Sequence, residues 1–129
     1  MGQEIDGLEL IEHQEMGPFL SFDTQVVRDV KSLRKIYTEI NKTRKPGLPV
    51  PDVDFSKDMV VLVCLGEQKT QRNLLLSVLK ETDDETVIAV ESKEVKSAKT
   101  ELSGSTTYPF YLYKLPIIDT SVSFQPIEE

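Results

Sequence analysis

His13 is the only histidine in the chain and Cys64 the only cysteine, and together they limit the chemistry the sequence can carry. A single imidazole excludes the zinc sites built on two histidines. A single thiol excludes an internal disulfide. A Ser–His–acid or Cys–His arrangement is formally open, but no glycine-flanked nucleophile pattern accompanies these residues. Cys64 lies inside the unbroken apolar run 59–65. Burial there raises a thiol's pKa and makes it a small hydrophobe. A core cysteine and a surface or turn histidine are therefore expected.

Two acidic constellations invite a chemical reading. Asp52, Asp54, Ser56 and Asp58 place oxygen ligands at alternate positions, as a calcium loop does. However, Lys57 stands where such a loop needs glycine, and Val63 where it needs a bidentate carboxylate. The expectation is a solvated turn with Phe55 directed into the core. Asp83-Asp84-Glu85 are three adjacent carboxylates. Acid–base pairs need a cleft that drives their pKa values apart, whereas a hairpin tip is wet. No catalytic residue, metal or cofactor is expected.

Charge and aromatic rings offer binding rather than catalysis. Formal net charge is −7, which opposes general binding to nucleic acid or anionic membranes. Residues 28–45 hold seven basic and two acidic side chains, a local +5 that leaves −12 for the rest. That basic stretch either solvates a helix face or contacts an acidic partner. Pro46-x-x-Pro49 has the spacing of a polyproline ligand, but as a rigid connector inside a domain it needs no ligand. Tyr108, Phe110, Tyr111 and Tyr113 crowd one segment. In a strand Tyr108 and Phe110 face one way and Tyr111 and Tyr113 the other. If the strand is an outer one, Tyr111 and Tyr113 are partly exposed and suit an interface.

These groups must be positioned by a small set of elements. Residues 8–11 read as a short strand that Met16-Gly17-Pro18 breaks, and 25–27 as a second. Asp29 caps a helix in which Leu33, Ile36, Tyr37 and Ile40 form one apolar stripe. Residues 46–51 hold three prolines and form an extended connector. Residues 59–65 make a strand buried on both faces. Residues 74–80 and 86–93 form a hairpin across a polar turn. A polar loop over 97–107 precedes an aromatic strand at 108–115, and 121–125 adds a last strand. The expected fold is α+β: mostly antiparallel strands, largely hairpin-connected, in a small sandwich or partly open barrel, with one amphipathic helix. A chain of 129 residues fits one domain, residues 1–129. No run approaches the ~20 apolar residues that span a bilayer. The polar start carries no signal peptide, and Asp6 fails a myristoylation signal.

Asp54-Phe55, Met59-Val60-Val61, Gly66, Thr70, Thr107-Tyr108-Pro109-Phe110 and Leu115-Pro116 occur in this order. In that order the chain resembles the C-terminal domain family of PrcB, a subunit of a bacterial protease complex. The resemblance covers residues 25–116. It implies an exported or lipid-anchored envelope protein that binds and stabilises a protease complex without catalysis. The family's Thr-Gly-Gly-Tyr turn is replaced here by Thr70-Gln71-Arg72-Asn73. Two lost glycines give that turn another shape. The expected function is a non-catalytic protein-binding module, with Tyr108, Tyr111, Tyr113, Gln71 and Arg72 as binding residues. The alternatives are a small-molecule or glycan binder that stacks sugars on the tyrosines, and a protease inhibitor that presents the 97–107 loop.

Overall fold

An apolar run with no polar face can only sit at the centre of a sheet, and β4 (Asp58–Leu65) does so. From Met59 to Leu65 every side chain is buried. The computed structural model describes residues 2–94 and 106–128. In chain order the elements are β1 (Gln3–Glu4), β2 (Glu9–Gln14), β3 (Phe22–Val27), α1 (Val30–Ile40), β4, β5 (Arg72–Glu81), β6 (Glu85–Glu94), β7 (Phe110–Pro116) and β8 (Ser121–Glu128). The expected α+β class with one helix stands. The strands divide into two four-stranded sheets, ordered β2-β7-β4-β3 and β1-β5-β6-β8, and do not close into a barrel. Most of the expected 97–107 loop lies outside the described residues.

The chain separates into two compact units. One comprises Gly7–Glu67 and Thr107–Ile117, and so holds β2, β3, α1, β4 and β7. Its β-ladders are all antiparallel. Helix α1 starts where expected: the Asp29 carboxylate accepts the Ser32 N–H at 2.7 Å. That bond draws the exposed Asp29 carboxyl below its ordinary pKa. The predicted stripe of Leu33, Ile36, Tyr37 and Ile40 is the buried face. It packs with Val60, Leu62 and Cys64 of β4, Phe110 and Leu112 of β7, and Val27. Each such side chain contributes roughly 1.5–3 kcal/mol when fully buried. Phe55 lies against the same cluster, as expected.

The second unit holds β1, β5, β6 and β8. Strands β5 and β6 form the expected hairpin, closed by the Thr82 N–H donating to the Glu85 carbonyl at 2.8 Å. Hairpins are nevertheless fewer than the sequence suggested. Strand β8 runs parallel to β6, and β7 is inserted between β2 and β4. The parallel pairing follows from where β8 begins. Ser121 donates to the Asp84 carbonyl through its N–H at 3.3 Å and its hydroxyl at 3.1 Å. Ser123 Oγ donates to Glu85 Oε2 at 3.0 Å. The acidic tip is thus the fastening point of β8, a role that adjacent carboxylates give no reason to expect.

Candidate functional site

The tyrosines do not form the exposed platform that their strand position suggested. Strand β7 is an inner strand of its sheet, paired on both sides. Tyr111 and Tyr113 are only 5% and 7% exposed. The outer-strand position on which the exposure of this pair depended is therefore not met. The His13 ring lies flat over Tyr111, with centroids 4.2 Å apart and planes 6° from parallel. Tyr113 follows at 6.3 Å. Burial pushes both phenols up, Tyr113 to about 12. Tyr108 is half-buried, and its backbone pins the chain near Met16: its N–H donates to the Glu15 carbonyl at 3.0 Å, and its carbonyl accepts the Gly17 N–H at 3.0 Å.

Gln71 and Arg72 belong to the other unit. Gln71 is exposed. Arg72 is half-buried and donates to Ser92 Oγ at 2.5 Å and to the Ser92 carbonyl at 2.9 Å, which closes the end of the β5–β6 ladder. Arg72 is thereby used structurally, and Gln71 is the residue left facing solvent.

The remaining candidates also have local roles. His13 Nε2 and Glu15 Oε2 approach to 2.6 Å, which holds the imidazole over Tyr111. Cys64 is fully buried, and desolvation, with the Asp23 carboxylate second, pushes its thiol up to about 12. Asp54 Oδ1 accepts the Ser56 N–H at 3.0 Å and the Ser56 hydroxyl at 2.6 Å. Those two bonds hold the exposed Asp54 carboxyl below its ordinary range, as in a closed local turn. Among the described residues, no three His, Cys, Asp or Glu side chains gather as a metal site would require. No described helix is long and apolar enough to cross a membrane.

One open cleft does collect binding groups. It lies between α1 and the proline connector, has a volume of about 610 Å³, and is lined by Arg34, Tyr37, Thr38, Asn41, Lys42 and Val50. Its shape depends on Asn41, which follows the helix. The Asn41 amide donates from Nδ2 to the Leu48 carbonyl at 2.9 Å and accepts the Leu48 N–H at Oδ1 at 2.7 Å. One side chain thus fastens the connector against the helix and sets Val50, 40% exposed, beside the cleft.

The cleft lining carries Arg34 and Lys42 and no carboxylate. The Tyr37 hydroxyl donates to Glu12 Oε1 at 3.1 Å, and Gln14 Nε2 donates to Glu12 Oε2 at 3.1 Å. Burial, and then the Glu12 charge, push the Tyr37 phenol above its ordinary pKa. Arg44 donates to the Met16 carbonyl at 2.9 Å. Among the described residues Lys42 pairs with Glu39 alone, at 3.0 Å and in solvent, a pair worth about 0.2–0.5 kcal/mol. Arg34 has no acidic partner among the described residues. Arg34, Thr38 and Lys42 recur every four residues and form one stripe. Lys42 lies in the 3-10 turn Asn41–Thr43 that follows α1, so at ~1.5 Å per residue to Ile40 and ~2.0 Å beyond it the two backbones stand roughly 13 Å apart along the axis.

Comparison with protein-family models, with curated proteins and with solved structures returns no match.

Proposed function

We propose that the chain is a non-catalytic protein-binding module whose α1–connector cleft receives an acidic, extended segment of its partner. The single supporting observation is that Arg34 and Lys42 both line one open cleft in a chain that is otherwise strongly acidic. An extended strand advances ~3.4 Å per residue, so carboxylates four residues apart span ~14 Å. That is comparable to the axial rise between the Arg34 and Lys42 backbones. The side chain midway between them points the same way and would lie on Val50 and the edge of the Tyr37 ring. The preferred ligand is therefore Glu-x-Leu-x-Glu in extended form. The accessory, stabilising role in an envelope protease complex implied by the motif order is the finer form of this reading. In that form the acidic segment belongs to a protease subunit.

The test is fluorescence anisotropy with a labelled Glu-x-Leu-x-Glu peptide and its Gln-x-Leu-x-Gln counterpart. Two exposed charge pairs at about 0.2–1 kcal/mol each predict an affinity ratio of roughly 2- to 30-fold in favour of Glu. The ratio should shrink as salt rises, because screening acts on exposed pairs. The double variant Arg34→Glu/Lys42→Glu should remove the preference. Equal affinity for the two peptides, or a preference that survives the double variant, would overturn the reading. The protease form is tested separately, by passing solubilised envelope fractions over the immobilised chain. A retained protease that elutes with the Glu peptide supports it. Retention that the peptide does not disturb counts against it.

A further inference from the structure

Four strands border the two sheets: β1, β8, β2 and β3. An unguarded edge offers a row of free N–H and C=O groups to another chain, so proteins usually blunt such edges. Strand β1 has only two residues. Strand β8 carries Pro126, which cannot donate to a ladder. Strand β2 is bulged between Leu10 and Glu12 and carries Glu9, Glu12 and His13. Strand β3 is not shortened, bulged or interrupted by proline, and Asp23 is its one charged residue. It pairs with β4 through six uninterrupted positions, from Phe22 opposite Leu65 to Val27 opposite Val60. Its sequence, Phe-Asp-Thr-Gln-Val-Val, lacks proline and lysine. Asp23 and Gln25 are exposed, and Phe22 is 45% exposed.

We infer that β3 pairs antiparallel with β3 of a second copy, about a two-fold axis through Thr24. The register follows from the side chains. Phe22, Thr24 and Val26 share one face of the sheet, and Asp23 and Gln25 the other. A two-fold axis perpendicular to the sheet keeps the faces aligned, so like faces meet only if the axis passes through a residue. Centred on Asp23, the pairing opposes two carboxylates. Centred on Gln25, it sets Asp23 against the buried Val27. Centred on Thr24, it sets Phe22 against Val26 twice, an aromatic–β-branched pair, and Asp23 against Gln25 twice, an acceptor facing a donor. Gln25 Nε2 already donates to Asp23 Oδ2 within the strand, at 3.2 Å, so the amide is within reach of that bond. The two sheets join into one continuous sheet of eight strands. A contact of five residues per copy is small, so the dimer is weak and concentration-dependent. None of the cleft residues takes part.

Sedimentation velocity over a wide concentration range, with the whole chain, is the test. The expected result is a monomer that shifts reversibly to a dimer as concentration rises. Thr24→Lys, which puts two ammonium groups at the axis, should leave a monomer at every concentration, with circular dichroism confirming the fold. Thr24→Cys tests the register even if the lysine variant fails to fold. Under mild oxidation it should form a covalent dimer, because residue 24 faces its own copy. Asp23→Cys should not, because residue 23 faces residue 25 and the two thiols stand beyond disulfide reach. A chain that stays monomeric throughout overturns the proposal. So does a folded Thr24→Lys dimer, or cross-linking by Asp23→Cys and not by Thr24→Cys.

Discussion

Replacing Asn41 by alanine should loosen the connector without touching the sheet. The two bonds lost, at 2.9 and 2.7 Å, are the ones that hold Leu48 against the end of α1. Each such bond has a net worth of about 0.5–1.5 kcal/mol, so the expected loss is roughly 1–3 kcal/mol. Both Asn41 and Leu48 are only half-buried. Water can therefore reach the freed Leu48 groups, which favours the lower half of that range. For a chain of this size, a kcal/mol shifts Tm by about 3–5 °C, so Tm should fall by roughly 3–10 °C. Chemical denaturation should show a lower midpoint with an unchanged slope. Asn41→Asp keeps the acceptor for the Leu48 N–H but turns a carboxylate oxygen toward the Leu48 carbonyl, so it should recover less than half of the loss and recover more as pH falls and the carboxyl gains a proton. In both variants the Glu-x-Leu-x-Glu peptide should bind more weakly, because Val50 is no longer held beside the cleft. If Asn41→Ala left the denaturation midpoint unchanged, the clamp would be misassigned.

The tyrosines give a pH prediction whose sign is fixed. Their ordinary pKa is 10.0, and Tyr37, Tyr111 and Tyr113 are all raised in the fold, Tyr113 to about 12. Above pH 10 the unfolded chain releases these protons while the folded chain keeps them, so stability is full below pH 10 and falls as pH rises. Phenolate absorbance from the three should appear together with loss of near-ultraviolet dichroism; clean ionisation near pH 10 with the fold intact would contradict their burial. Gly17→Ala should destabilise by about 1–3 kcal/mol, because its Cβ would lie 2.4 Å from the buried Phe110 ring. Urea denaturation measures this, and a neutral result would mean that the 15–18 turn yields more easily than its bonds suggest.

Where local pattern decides structure, the sequence was legible. The Asp29 cap, the Leu33–Ile36–Tyr37–Ile40 stripe, the buried run at 59–65 and the β5–β6 hairpin each rest on residues close in sequence. Strand order was not legible, because nothing local says that β7 lies between β2 and β4 or that β8 runs parallel to β6. The misread tyrosine surface follows from that gap. Whether Tyr111 and Tyr113 are exposed depends on whether β7 is an edge strand, and that depends on a partner a hundred residues earlier in the chain, β2. The basic segment was visible as composition. What composition lacked was the division of labour within it: Arg44 tied to the Met16 carbonyl, Lys42 and Arg34 facing the cleft. Asn41 carried no signal at all, since an asparagine after a helix reads as an ordinary cap.

The place of β7 also bears on how the chain behaves while it is being made. Strand β4 is finished at Leu65, but β7, which covers its second edge, begins only at Phe110. Between them the whole β5–β6 hairpin must leave the ribosome. For that interval β4 is a seven-residue apolar ribbon with one edge unpaired, the feature most prone to stick to a neighbouring nascent chain. Synthesis adds ~5–20 residues per second, so the exposure lasts some seconds. Neither compact unit is a continuous stretch of chain, so neither can be completed ahead of the other by simple elongation. Such a protein depends on a chaperone, or on low local concentration, during those seconds more than a chain whose neighbouring strands follow one another.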